Sequence, residues 1–238
     1  KGGAGGNIAM EYVARSPADG YTLMLALTPQ LAVNGALYAK LPYDPIQGFT
    51  PISLIGEAPY LLLVHPGLSV NHLKDLLALA AQEKGQLAYA SSGSGSCGHM
   101  AAELFRAMAG IDMVRVNYKA TSEALSDLVS GQLHLSFHTV TSAVPYIKSG
   151  RLKALGVTGA ERSMAFPELP TVAATGLPGY ESVSTLCIFG PAGLPVAVVG
   201  RLNQEIVRFL QIADTKARLL KSGVEVVGST PDQLLAMM

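Results

Sequence analysis

Apolar positions recur along this chain in two rhythms, and their alternation predicts the architecture. In "SVNHLKDLLALAAQEKG" (69–85), Leu73, Leu76, Leu77 and Ala80 repeat at helical spacing. Ser69 or Asn71 is placed to cap that helix and Gly85 to stop it. In "GNIAMEYVARS" (6–16), Ile8, Tyr12 and Val13 share one helical face. Short continuous apolar runs read as strands instead. "GYTLMLALT" (20–28) predicts a buried strand ended by Pro29, and "TPISLIGEAPYLLLVHP" (50–66) predicts strand-like runs broken at Pro59. Further on, the pattern predicts strand 86–90, helix 98–109 and strand "MVRVNY". Helix "TSEALSDLVSG", strand "QLHLSFH", helix "TSAVPYIKSG" and strand "LKALGVTG" follow.

Strands separated by helices of about ten residues imply right-handed crossovers and mostly parallel sheets. The chain therefore reads as α/β. In such sheets anions bind beyond the carboxyl ends of strands, at helix N-termini.

Composition narrows the function classes. Of 238 residues, 49% are hydrophobic and 14% charged, with formal net charge zero and no Trp. The charged share is well under the usual quarter or so, which excludes a disordered or coiled-coil chain. Without a basic run, nucleic acid is excluded as a partner. No apolar run approaches the roughly 18 residues that span a bilayer. The opening "KGGAGGNIAM" carries neither Met nor a charged-then-apolar leader, so the chain reads as beginning partway through a gene product. Cys97 and Cys187 fit no disulfide framework and no metal motif, and read as free, buried or half-buried thiols.

The chemistry concentrates in "ASSGSGSCGHM" (90–100), between a strand and a helix. Gly93, Gly95 and Gly98 spell GxGxxG, the dinucleotide fingerprint, and an NAD(P)-binding enzyme is the alternative reading. That fingerprint needs an acidic residue at the end of the next strand, and here the strand ends in Asn117, Tyr118 and Lys119. No GK[ST] follows for a P-loop, and no GxSxG appears for a hydrolase elbow. Cys97 and His99, two apart near a helix start, do not face each other as nucleophile and base would. What remains is noncovalent: serine hydroxyls and backbone N–H groups at a positive helix end suit a carboxylate. "GGAGGN", "LTPQLAVN", "TSE" and "TVTSA" add further polar turns at helix starts. The pattern is that of a binding cleft rather than an enzyme, with no cofactor and no metal.

Longer stretches carry a resemblance. "KGGAGGNIAMEYVARSPADGYTLML", "LYAKLPYDPIQGFTPISLI", "YASSGSGSCGHMAAELFRAMAGIDMVRVNYKA", "IKSGRLKALGVTGAERS", "PELPTVAATGLPGYE" and "VVGSTPDQL" match, in order, the substrate-binding proteins of tripartite tricarboxylate transporters, the Bug family. The resemblance implies a periplasmic, two-lobed Venus-flytrap fold (type II-like). Lobe 1 would hold residues 1–64 and 190–238, and lobe 2 residues 65–189. It implies capture of a small carboxylate for a membrane permease, without catalysis or membrane insertion. Family members also carry an N-terminal strand, loop and helix ahead of "GAGG" that this sequence lacks.

By that resemblance Thr28, Pro29 and Gln30 form a polar strand-end turn of lobe 1. Ser92, Gly93, Ser94, Gly95 and Ser96 form the loop that grips a carboxylate, and His99 stands in the first turn of the helix behind it. His138 lies in "FHT" where "FDN" is usual, and "STLC" (184–187) replaces "SSWFG". An imidazole in place of a carboxylate predicts preference for simple carboxylates over amino acids, with affinity rising between about pH 8 and 6. Alternation in "LHLSFH" puts His134 and His138 on one strand face about 13 Å apart, too far to share a metal.

Overall fold

The computed structural model describes residues 6–27, 29–91 and 93–238, with residues 29 and 30 described by backbone alone. Among them the chain runs α1 (Asn7–Ala14), β1 (Met24–Leu27), a π-helical turn (Pro29–Val33), α2 (Asn34–Leu37), β2 (Phe49–Val64), α3 (Leu73–Gln82) and β3 (Ala88–Ser91). It continues through α4 (Cys97–Ala109), β4 (Val114–Asn117), α5 (Thr121–Val129), β5 (Leu135–Thr139), α6 (Val140–Lys148), β6 (Lys153–Val157) and α7 (Val172–Thr175). Last come β7 (Val183–Pro191), α8 (Val196–Leu210), α9 (Ala213–Lys221), β8 (Glu225–Val226) and α10 (Pro231–Met237). The fold is α/β, and the chain divides into two compact units: residues 1–58 with 184–238, and residues 59–183.

In the second unit the strand order is β6-β2-β5-β3-β4. β3 is parallel to β4 and β5, while β2 is antiparallel to β5 and β6. Four of these strands thus point one way, as strand–helix–strand crossovers demand, and β2 alone runs against them. Helices cover both faces, which explains why "YLLLV" is apolar without alternation. Leu62 and Val64 pack with Leu135 and Phe137 of β5 against Leu73 and Leu76 of α3 and Phe105 of α4. Leu61 and Leu63 pack on the other side with Leu125 and Leu128 of α5 and Ala143 of α6.

Two expectations are corrected. Pro59 does not break the strand; β2 is one element of 16 residues. Proline lacks the N–H that a ladder needs, and Pro59 falls where the partners change, with Glu57 opposite Glu225 of β8 and Tyr60 opposite Thr139 of β5. α3 is capped by neither Ser69 nor Asn71. His72 is its N-cap residue, and the Asp75 carboxylate reaches back to accept from the backbone N–H groups of Asn71 and His72, both at 2.9 Å.

In the first unit β1 pairs antiparallel with β7, and Gly56 and Glu57 of β2 pair with β8. Its core gathers Met10 and Val13 of α1, Met24 and Ala26 of β1, Phe49 and Leu54 of β2, and Cys187 and Phe189 of β7. Asn7 is buried there, its Oδ1 accepting from Asn34 Nδ2 at 2.7 Å and from the Tyr43 hydroxyl. The strand expected to be buried over 20–28 is buried on one face only. Leu25 is 58% exposed and, beside it in sequence, Tyr21 93%. With Ile8 and Tyr12 of α1, also exposed, this side borders a concavity of about 990 Å³ lined by α1 and residues 23–25. No helix among the described residues is long and apolar enough to cross a membrane.

Candidate functional site

The glycine–serine loop closes the carboxyl end of β3 and opens α4. Gly93 and Gly95 hold φ of 95° and 75°, a left-handed backbone that side chains resist. Ser96 is the N-cap, its Oγ accepting from His99 N–H at 3.3 Å and donating to the Gly93 carbonyl at 3.0 Å. The third glycine has a packing reason. A Cβ on Gly98 would stand 2.9 Å from the Phe137 carbonyl oxygen, so its absence lets α4 begin directly over the end of β5.

Several of the loop's own donors are engaged internally. Gly93 N–H donates to Asn117 Oδ1 at 3.1 Å, and Gly95 N–H to His99 Nδ1 at 3.0 Å. Ser96 N–H reaches the Gly93 carbonyl at 3.4 Å. Of the hydroxyl and N–H groups expected to meet an anion, the N–H groups of Gly93, Gly95 and Ser96 already have partners. These contacts shape the loop, and the side chains set behind it become the stronger candidates.

Foremost among them is Arg115, which in the sequence alone is one position of a strand. β4 lies parallel to β3 with Ser91 opposite Asn117, so Arg115 reaches back under the loop. Its Nε donates to Ser91 Oγ at 2.7 Å, and its Nη2 to Ser94 Oγ at 3.2 Å and Asn117 Oδ1 at 2.9 Å. Among the described residues, ion pairs form elsewhere and none includes Arg115.

His99 accepts from a backbone N–H through Nδ1, so its proton sits on Nε2 and the ring is neutral. Burial holds its protonation below the usual histidine range, and the nearby Arg115 charge adds to this. His138 is 5% exposed at the end of β5, on the face opposite Phe137 and paired across strands with Leu61. Its Nε2 is buried with no hydrogen-bond partner. Burial pushes its pKa down to about 4, so the ring is neutral between pH 8 and 6. His134 stands apart from both, its Nδ1 accepting from Ala88 N–H at 2.9 Å.

The structure brings Gly93, Ser94, Gly95, Ser96 and His99 together around one loop. Through the contact of Gly98 with Phe137, it also brings that loop to the strand end that carries His138. Thr28 and Ser92 lie outside the described residues. Pro29 and Gln30 open the π-helical turn that follows β1, in the other unit. Asn117 stands where a dinucleotide fold would place an acidic residue for the ribose; it is an amide, already accepting from Gly93 and Arg115. Among the described residues no group of acidic, histidine or cysteine side chains is arranged to hold a metal.

Comparison with known proteins shows what the chain as a whole is similar to. A family model described as "Tripartite tricarboxylate transporter family receptor" matches residues 1–238. Protein BugT of Bordetella pertussis is 32% identical over 234 residues, which is 98% of this chain and 72% of BugT. A UPF0065 protein from the tcbD-tcbE intergenic region of Pseudomonas sp. is 36% identical over 98% of this chain and 70% of its own length. Among solved structures, R. palustris Rpa4515 with adipate superposes with TM-score 0.90 at 36% identity, covering 100% of this chain and 79% of that one. MatC (Rpa3494) from Rhodopseudomonas palustris with bound malate gives 0.84 at 31% identity, over 99% of this chain and 81% of its own.

Proposed function

We propose, from the premise that this chain belongs to the tripartite tricarboxylate transporter receptor family, that it captures a small carboxylate in the periplasm and presents it to a membrane permease. Members of this family are solute-binding receptors, not enzymes, and the dinucleotide-enzyme alternative gives way to that. The observation that carries the carboxylate reading is the loop at 93–96. It is a glycine–serine turn at the start of a 13-residue helix, backed by a guanidinium that has no ion-pair partner among the described residues. The neighbours with adipate and malate support a dicarboxylate as the ligand class.

In this reading the two compact units are the two lobes. Gly93, Ser94, Gly95, Ser96 and His99 form the second lobe's contribution, His99 offering Nε2–H as a donor. His138 offers its unpartnered Nε2 to the ligand or to a bound water. Ser92 belongs to the same loop, and Thr28, Pro29 and Gln30 are the first lobe's contribution.

A thermal-shift screen of dicarboxylates, amino acids, NAD and ATP tests the proposal. A carboxylate at about 100 times its Kd adds roughly 2.7 kcal/mol of stability, and NAD and ATP add none. Stabilisation by NAD alone would refute it. Replacing Gly95, whose φ of 75° no branched residue adopts comfortably, extends the test. Gly95→Val weakens adipate binding by more than the about 0.5–1.5 kcal/mol of a single neutral hydrogen bond. Unchanged affinity in Gly95→Val moves the site away from this loop.

A further inference from the structure

Arg115 is anchored through part of its donor set. A guanidinium carries five N–H donors in a rigid fork and cannot lose its charge in a protein. Three of the five are fixed: one from Nε to Ser91, two from Nη2 to Ser94 and Asn117. All three acceptors are neutral oxygens, so they orient the charge without compensating it. The two N–H groups on Nη1 have no acceptor among the described residues. Ser91 ends the strand before the glycine–serine loop, Ser94 lies within it, and the third acceptor, Asn117, also accepts from Gly93 N–H. The fork and the loop therefore form one hydrogen-bonded unit with a net positive charge. A fixed, half-buried cation without a counter-ion is stabilised by an anion brought to it.

We propose that Arg115 is the specificity-determining residue of this site, its Nη1 donating to an ionised carboxylate oxygen of the ligand held at the 93–96 loop. The inference rests on the carboxylate-binding reading above and deepens it. Loop hydroxyls and backbone N–H groups are uncharged and donate to a neutral oxygen almost as readily; the guanidinium makes the site choose a carboxylate. Ser91, Ser94 and Asn117 act as positioning residues, removing the rotamer freedom that a free arginine would lose on binding.

Calorimetry with adipate and malate on the full chain, at low and at physiological salt, tests this with Arg115→Gln and Arg115→Lys. Wild type binds at least one of the two, and more weakly at the higher salt, because screening weakens a charge contact. Arg115→Gln loses tenfold or more, about 1.4 kcal/mol, and most of that salt dependence. Arg115→Lys keeps the salt dependence and binds between the two. Phenylglyoxal labelling of the wild type, mapped by mass spectrometry, needs no variant to fold: the bound ligand protects Arg115. Arg115→Gln binding within twofold of wild type overturns the inference while leaving the carboxylate reading intact. So does weakened binding that keeps the full salt dependence, which marks a bracing role only, and so does labelling of Arg115 that ligand does not slow. A wild type that binds neither acid overturns both.

Discussion

A neutral imidazole has one donor and one acceptor to satisfy, and His138 is buried with Nε2 unmatched. That makes it a pH-sensitive group in the second unit's core. In the folded chain burial pushes its pKa down to about 4, whereas in the unfolded chain a histidine titrates near 6.5. Between those values the unfolded state holds the extra proton, so stability is complete above about pH 6.5 and falls as pH drops toward 4. Urea unfolding at neutral pH and near pH 5 should show wild type losing about 2 kcal/mol more than His138→Gln. An equal loss in both would show that His138 is solvated in the folded chain. The imidazole of "FHT" is legible in the sequence; the burial that keeps it neutral is not, because Leu61 opposite it comes from another strand. Arg115 went unseen for the same reason. In "MVRVNY" it is one polar position in an alternating strand, and its meaning comes from Ser91 and Ser94, 24 and 21 residues earlier.

Elements within the second unit were read well because their signals are local. Leucine spacing gave α3, and the change from apolar run to glycine–serine turn gave β3, the loop and α4. What failed were inferences in which one residue type was given one meaning. Pro59 predicts a break, yet it lies within one strand, where the strand changes partners. The cap of α3 went to hydroxyl and amide side chains, but the Asp75 carboxylate holds the helix start from inside. α8 and α9 lie in a region the periodicity reading left undivided. Glycines make the same point in opposite directions. Gly98→Ala drives a Cβ to 2.9 Å from the Phe137 carbonyl; the about 1–3 kcal/mol of overpacking exceeds the at most about 1 kcal/mol of helix propensity gained. Gly200, inside α8 and exposed, has nothing within 4 Å of the same position, so Gly200→Ala gains up to about 1 kcal/mol. Unfolding free energies of the two variants should therefore move apart from wild type in opposite senses. Movement of both in the same direction would contradict the close approach of α4 to β5.

At the scale of the whole molecule, the α/β class followed from the order of elements, and the family from motifs spread along the entire chain. The exposed side of β1 did not, since "GYTLMLALT" is as apolar as a buried strand and only the observed packing shows which half faces solvent. Among the described residues β1 stands at the end of the strand order, and Tyr21, Leu25 and Tyr12 are exposed. The chain also carries formal net charge zero, with a pI near 7.1. At neutral pH there is then no long-range repulsion to keep copies from meeting along that edge. Light scattering should show apparent mass rising with concentration near pH 7 and less steeply at higher pH, where the chain is anionic. Leu25→Lys, a charge on an edge strand, should flatten that rise; an unaltered rise would put the sticky surface elsewhere. A purified stock of this chain would accordingly keep best when dilute and away from its isoelectric point, and turbidity on concentrating it would be colloidal in origin rather than a sign of unfolding.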